Sequence, residues 1–261
     1  MDSRQAIGIY LGTTYACVGV WENNEVKILP DSQNHKSIKT YVAWNGSNFI
    51  VGNEADNYNS PKTQRCVFDI RMLIGKTYSE LVAQKTERQW PFDIESDANH
   101  RPLLNLKHNG ASAKFYPEQI YAVLILKLKH MAETYLKRPI TIAAIAVPAT
   151  FNYLQREATE LAAKIAGLTS VRLIRVPVAA AIPFGMGNEQ KDEKGLAIIS
   201  IGRTQTEICI LAEEDSIFEV KYYSYRLDVS GDVFDQLLVD YCVKKFREIK
   251  NIGDVQISAW S

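Results

Sequence analysis

Residues 9–20 read IYLGTTYACVGV. Two apolar, β-branched runs flank Gly12-Thr13-Thr14, and a turn of that kind suits a phosphate group. Glycine lets the backbone come close, while N–H groups and hydroxyls converge on the anion. A related stretch, AIISIGRTQTEICIL, begins at Ala197, about 190 residues later. Hydrolysis of a nucleoside triphosphate asks for more than a cradle. It needs Mg²⁺, carboxylates to hold the metal's waters, and a cation aimed at the transferred phosphate. In a duplicated design the carboxylates belong just before each glycine turn. Those positions hold Tyr10 and Ser200, neither of which carries a charge. The pattern predicts two phosphate-type turns without the acids that organise a divalent ion.

The elements that would carry these turns follow from periodicity. AIGIYLG, TYACVGVW and EVKILP read as three short strands, with Asn23-Asn24 turning the second into the third. Asn45-Gly46 and Asn109-Gly110 mark two further hairpins, YVAW to FIVG and LLNLKH to ASAKFY. SELVAQKTERQW has helical spacing and stops at WPF. PEQIYAVLILKLKHMAETYLKR is a helix opened by Pro117, with Ile120, Val123, Leu124, Leu128 and Met131 as its apolar stripe. TIAAIAVPA is a buried strand. NYLQREATELAAKIAGL is a helix capped by Asn152 and ended at Gly167. VRLIRV is a strand and PVAAAIPFGMG a short helix interrupted at Pro183. NEQKDEKG is a solvated loop.

After that loop the opening layout returns: apolar strand, Ile-Gly step, threonines, second strand, acidic turn, third strand. This repeat predicts a duplicated lobe, with both glycine turns facing one cleft. The first lobe is assigned to residues 1–189 and the second to 190–261. The second holds only a meander, the helix VFDQLLVDYCVKKFREI and a tail. An incomplete second lobe leaves the apolar face of that helix, including Leu237, Leu238 and Phe246, short of cover.

Bulk properties exclude several classes. The 261 residues are 46% hydrophobic and 23% charged, with 30 basic and 30 acidic side chains. That balance argues against nucleic acid or an anionic membrane as the main partner. No run approaches the ~20 apolar residues of a membrane span. The polar start, Met1 to Ala6, does not read as a signal peptide. A cytoplasmic location, with the nucleus as a second compartment, is the expectation. Asn45-Gly46-Ser47 is then a turn rather than a glycan acceptor. Cys17, Cys66, Cys209 and Cys242 lack metal-binding spacing and read as buried, reduced thiols. His35, His100, His108 and His130 are scattered and read as surface residues. Tyr222, Tyr223 and Tyr225 alternate as strand residues do.

Several stretches taken together resemble one family. GIYLGTTYACVGV, VFDIRMLIGK, QWPF, FYPEQIYAVLILKLK, AVPATFNYLQREAT, IAGLTSVRLIRVPVAAAIPFG and VSGDVFDQLLV are similar to the ATPase domain of the 70-kDa heat-shock (Hsp70) chaperones, in order, from Ala6 to Lys250. The resemblance implies an α/β architecture: the actin-like, ribonuclease H-like ATPase fold of two lobes around ATP and Mg²⁺. By position, Gly12, Thr13, Thr14 and Tyr15 match the family's first phosphate loop, and Gly202 the start of its second. Arg203 and Thr204 stand where the family has glycines, and Gln205 where it has a threonine. Tyr10 and Ser200 replace its two metal-organising aspartates, Val176 replaces a glutamate near the metal, and Arg71 stands for its catalytic lysine. Pro148 and Arg156 match residues that relay nucleotide state to a substrate-binding domain, and the expectation is that no such domain follows here.

Losing two aspartates, a glutamate and two loop glycines together predicts impaired hydrolysis, since each factor of ten in rate is about 1.4 kcal/mol of barrier. Weak ATP binding without ordinary Mg²⁺ binding is expected, with Arg71 and Arg203 as candidate phosphate-binding cations. The functional expectation is an interaction or regulatory module of the chaperone system, meeting J-domain proteins and nucleotide-exchange factors. The alternative is a residual ATP-binding chaperone with weak ATPase activity. A sugar or acetate kinase of the same fold class also needs an acidic first loop, and the chaperone motifs argue against it.

Overall fold

The computed structural model describes residues 5–59, 64–88, 90–185, 194–214 and 217–250. The charged loop as far as residue 193, the 189/190 lobe boundary and the tail beyond 250 lie outside them. Two compact units are present, Met1–Arg175 and Val176–Ser261.

The first unit begins with the expected meander, β1 (Ala6–Leu11), β2 (Tyr15–Glu22) and β3 (Glu25–Ile28). Asn23 and Asn24 both adopt positive φ, 53° and 63°, as a two-residue hairpin turn requires. β4 (Ile38–Lys39) pairs with β2. β5 (Val42–Trp44), β6 (Phe49–Val51) and, after the single-turn α1 (Asn53–Asp56), β7 (Cys66–Val67) form a small sheet ordered β6-β5-β7. The single-turn α2 (Ile70–Leu73) and α3 (Tyr78–Arg88) follow. β8 (Asp93–Ser96), β9 (Pro102–His108) and β10 (Ala111–Phe115) make a third sheet. The sequence reading anticipated the β9–β10 hairpin but not β8.

The clearest helix, α4 (Pro117–Leu136), precedes β11 (Ile142–Val147), α5 (Tyr153–Ile165) and β12 (Ser170–Arg175). β1 pairs in parallel with β11, and β11 with β12, so the main sheet runs β12-β11-β1-β2-β3. The pleat alternates β1 cleanly: Ile7, Ile9 and Leu11 are buried, while Ala6, Gly8 and Tyr10 face the other way. α4 packs against β1 and β2 with Ile120, Tyr121, Leu124, Ile125 and Leu128 buried. Each such side chain contributes about 1.5–3 kcal/mol of transfer free energy. α5 starts as the sequence requires: the Asn152 carboxamide accepts from the Gln155 N–H at 2.9 Å, and Gln155 Oε1 accepts from the Asn152 N–H at 3.1 Å.

The second unit opens with α6 (Val176–Gly185), which contains Pro183. β13 (Lys194–Ile201), β14 (Thr206–Glu214) and β15 (Ile217–Arg226) form an antiparallel sheet, and α7 (Gly231–Lys250) follows. α6 packs on one sheet face through Val178 and Ala181, against Ile198, Cys209, Leu211 and Val220. That packing puts α6 with the second unit, ahead of the boundary read from the sequence. None of the four cysteines is in a disulfide; Cys66 and Cys209 are buried, Cys17 is half-buried, and Cys242, expected inside, is exposed on α7. Burial pushes the Cys66 thiol up to about 12, which keeps it protonated and inert. No helix among the described residues is long and apolar enough to cross a membrane.

One glycine ties α2 to α5. Gly75 has φ +64°, and a Cβ there would stand 2.5 Å from the Gln155 Cα. Gly110, at φ +83°, has nothing within 4 Å. Gly75→Ala is therefore expected to destabilise the chain by about 3 kcal/mol or more, and Gly110→Ala by about 1 kcal/mol. Urea unfolding of the two variants checks the difference.

Candidate functional site

The first glycine turn is a closed backbone loop. Gly12 N–H donates to the Tyr15 carbonyl at 2.9 Å. A Cβ on Gly12 would lie 2.6 Å from that oxygen, so only glycine fits without displacing backbone. Thr13 is buried. Its carbonyl accepts from the Thr40 hydroxyl at 2.6 Å, and the Thr14 carbonyl accepts from Thr40 N–H at 2.9 Å. β4 and the residues after it thus clamp the turn from outside.

Two side chains complete this turn. Tyr10 lies across it: the Cβ position at Gly12 is 3.1 Å from a ring carbon of Tyr10 and 3.2 Å from its hydroxyl. The pleat of β1 puts Tyr10 on that side, and its ring is partly exposed. Arg71 comes from α2, and its guanidinium donates to the Thr13 hydroxyl at 2.7 Å. The buried Thr13 hydroxyl accepts from arginine and keeps its own O–H as a donor. Asp69, the residue before α2, adopts φ +54° and is buried, and its carboxylate accepts from the Trp90 indole N–H at 3.2 Å. Tyr121 of α4 is fully buried nearby; burial pushes its hydroxyl far up, and the Arg71 charge pulls weakly the other way. The sequence reading did not single out Asp69 and Trp90. Their signal was an acid directly before a one-turn helix and the QWPF stop.

The second turn repeats the first in geometry. Gly202 N–H donates to the Gln205 carbonyl at 2.9 Å, and a Cβ there would stand 3.0 Å from that oxygen. Thr204 is buried. Here the backbone is also held by the start of α7: Gly231 N–H donates to the Gly202 carbonyl at 3.0 Å, and Asp232 N–H to the Arg203 carbonyl at 2.8 Å. The Arg203 guanidinium pairs with the Asp232 carboxylate at 2.8 Å. Ser200 sits directly across from Glu207 in the β13–β14 register. Glu207 is buried and accepts from Gln205 Nε2 at 2.6 Å and the Tyr223 hydroxyl at 3.2 Å. Val176 opens α6, half-buried. Asp232 and Glu207 escaped the sequence reading. Strand alternation, which turns Glu207 inward with Cys209 and Leu211, was the available signal.

The structure thus gathers Tyr10, Gly12, Thr13, Thr14, Tyr15 and Arg71 around one turn, and Ser200, Gly202, Arg203 and Thr204 around the other. The family model described as Hsp70 protein matches residues 6–259. The chain belongs to the Hsp70 family. It is 36% identical over 245 residues to heat shock cognate 70 kDa protein 3 of Dictyostelium discoideum, covering 93% of this chain and 39% of that relative. It is 34% identical over 254 residues to the heat shock 70 kDa protein of Emericella nidulans, covering 97% and 39% of the two chains. It is also 34% identical over 259 residues to the heat shock cognate HSP70 protein of Trypanosoma brucei brucei, covering 99% and 38%. The chain therefore spans about two-fifths of the length of these relatives. Its mixed α/β architecture is that of the Hsp70 actin-like ATPase domain.

The Hsp70 family implies a nucleotide with Mg²⁺, and the residues present fit the two components differently. The first turn offers backbone N–H groups, the Thr13 hydroxyl and the Arg71 cation, a donor set suited to phosphate. It does not fit Mg²⁺, whose sites carry carboxylates. Tyr10 covers the turn with a phenol, and no group of three or more His, Cys, Asp or Glu that would hold a metal ion occurs among the described residues. A cavity of about 1080 Å³ lies elsewhere in the first unit, between the start of α5 and residues 75–79 and 99–102, lined in part by Arg101, Tyr153, Leu154 and Arg156.

The Arg71–Thr13 pair generates a stability prediction. Thr13→Val keeps the volume and removes the acceptor, leaving a partly buried guanidinium donor unpaired. It is expected to cost about 1–3 kcal/mol, read as a lowered urea midpoint with an unchanged slope.

Proposed function

We propose that this chain is an Hsp70-type nucleotide-binding domain that has kept its phosphate turns and lost metal-dependent ATP hydrolysis, and that it acts as an interaction or regulatory module of the Hsp70 system. One observation carries the reading. A neutral phenol lies across the Gly12 turn at the place of an acid, and the register-equivalent place in the second unit holds a serine. Organising an octahedral magnesium around a triphosphate takes anionic oxygens, and the loss falls at the same position in both halves of the repeat.

The chemistry that this reading assigns to the residues is binding rather than turnover. The Thr13 and Thr14 N–H groups and the Thr13 hydroxyl receive phosphate oxygens, the Gly12 N–H closes the turn on Tyr15, and Arg71 supplies the positive charge. Partners in this reading are J-domain proteins and nucleotide-exchange factors of the Hsp70 system. They act on the retained scaffold, in the cytoplasm or nucleus, and neither nucleic acid nor membrane is assigned as a partner.

A second reading is favoured by one specific contact. Arg71 hydrogen-bonds the Thr13 hydroxyl, which keeps a cation at the phosphate turn. That geometry supports a residual ATP-binding chaperone with weak hydrolysis. Arginine is bulkier and more delocalised than lysine, so its charge is spread over a planar fork.

Calorimetric titration with ATP separates the two. Weak binding that differs less than about threefold with and without Mg²⁺, together with no phosphate release above a protein-free blank, is the expected result. Tight, magnesium-dependent binding with turnover overturns the proposal. Tyr10→Asp combined with Ser200→Asp is expected to introduce a magnesium dependence of about tenfold or more in affinity, about 1.4 kcal/mol.

A further inference from the structure

The Gly12 turn carries donors that the protein itself does not use. The Gly12 N–H bonds the Tyr15 carbonyl, and Thr40 occupies the Thr13 and Thr14 carbonyls. Among the described residues, neither the Thr13 N–H nor the Thr14 N–H has an acceptor. Tyr10 adds a further donor. Gly12 has no side chain, and the phenol takes up that room: a Cβ at Gly12 would stand 3.1 Å from a ring carbon and 3.2 Å from the hydroxyl oxygen. Tyr10 is 40% exposed, and its hydroxyl makes no hydrogen bond among the described residues. The ring is seated on the turn, and its O–H is unused there.

Charge decides what such a place can take. A carboxylate at position 10 accepts hydrogen bonds and repels a phosphate unless a cation stands between them. A phenol carries no charge and has a proton to give. The residue present therefore replaces an acceptor that works through a metal with a donor that works without one. The cation is already in place, since the Arg71 guanidinium stands 2.7 Å from the Thr13 hydroxyl. The second turn does not offer the same set. Its equivalent residue, Ser200, is also a hydroxyl, but the buried Glu207 lies across from it in the β13–β14 register and opposes an anion.

We propose that Tyr10 is a ligand-binding residue: its O–H donates to an oxygen of a phosphate held by the Thr13 and Thr14 N–H groups, and the first unit thereby takes a metal-free polyphosphate end. This rests on the phosphate-binding reading above and adds to it the residue that fits the site to an anion without magnesium. Inorganic polyphosphate and a free nucleoside triphosphate share that chemistry. Three features act together in it. Backbone N–H groups converge on the anion, Arg71 supplies charge, and the phenol supplies a charge-assisted hydrogen bond where an acid would repel. Gly12 then has two roles, closing the turn and seating the ring.

Titration calorimetry of the full chain in EDTA tests this, with inorganic tripolyphosphate and ATP as separate probes. Tyr10→Phe keeps the ring against Gly12 and removes only the hydroxyl. It is expected to weaken binding of both probes by about tenfold, the worth of one hydrogen bond to a charged acceptor. Tyr10→Ala removes the ring as well and is expected to weaken binding at least as much. A phenol that merely covers the turn gives the opposite pattern: Phe leaves the affinity unchanged and Ala raises it. That pattern overturns the proposal, as does a wild-type chain that does not bind tripolyphosphate, or a Tyr10→Phe loss confined to ATP. Circular dichroism and the urea midpoint check that both variants keep the fold. Magnesium-dependent turnover by the wild-type chain defeats the underlying reading, whereas magnesium-independent binding that is indifferent to Tyr10→Phe defeats this proposal alone.

Discussion

The pleat of β1 is the constraint on which the site depends. Ile7, Ile9 and Leu11 must face α4 because that is where the core lies, and strand geometry then sends Tyr10 to the opposite face. At the end of the strand, the Gly12 N–H and Tyr15 carbonyl close a turn too tight for a Cβ. Whatever occupies position 10 is therefore held against the turn. An acid there would be presented to a metal; a phenol there covers the backbone instead. A single substitution in the strand changes the chemistry of the turn without disturbing the packing that positions it.

Local signals made much of this legible. Asn23-Asn24, Asn45-Gly46 and Asn109-Gly110 each announce a hairpin because these residues tolerate the positive φ that such turns require. The Asn152 cap and the stripe of α4 are equally local, since every partner is within a turn or two of helix. The repeat was legible because strand alternation preserves the apolar positions even where identities differ. One backbone bond recurs in the two turns, Gly12 to Tyr15 and Gly202 to Gln205, at 2.9 Å in both.

Long-range placement was not legible. β8 has the sequence DIES, with one apolar residue in four, and it is a strand because β9 lies beside it. Arg71 meets Thr13 across 58 positions of sequence, and Arg203 meets Asp232 across 29. A sequence supplies the charge in both cases but not the partner, and the partner decides what the charge does. Cys242 illustrates the same limit from the other side. It lies on α7, where every residue from Phe234 to Cys242 is exposed, so its composition read as a buried thiol while its helix is open to solvent.

The two turns, alike in backbone, therefore differ in electrostatics. At the first, the acid is gone and the cation remains: Arg71 bonds a neutral hydroxyl, so its charge is not cancelled by a direct ion pair within the turn. At the second, the added arginine is matched by the Asp232 carboxylate, and Glu207 lies across from Ser200. One guanidinium there stands with two acidic side chains. An anion gains at the first turn and meets competition at the second. In the proposed reading phosphate recognition therefore rests on the first unit, and the Gly202 turn anchors the start of α7 through the Gly231 and Asp232 N–H bonds.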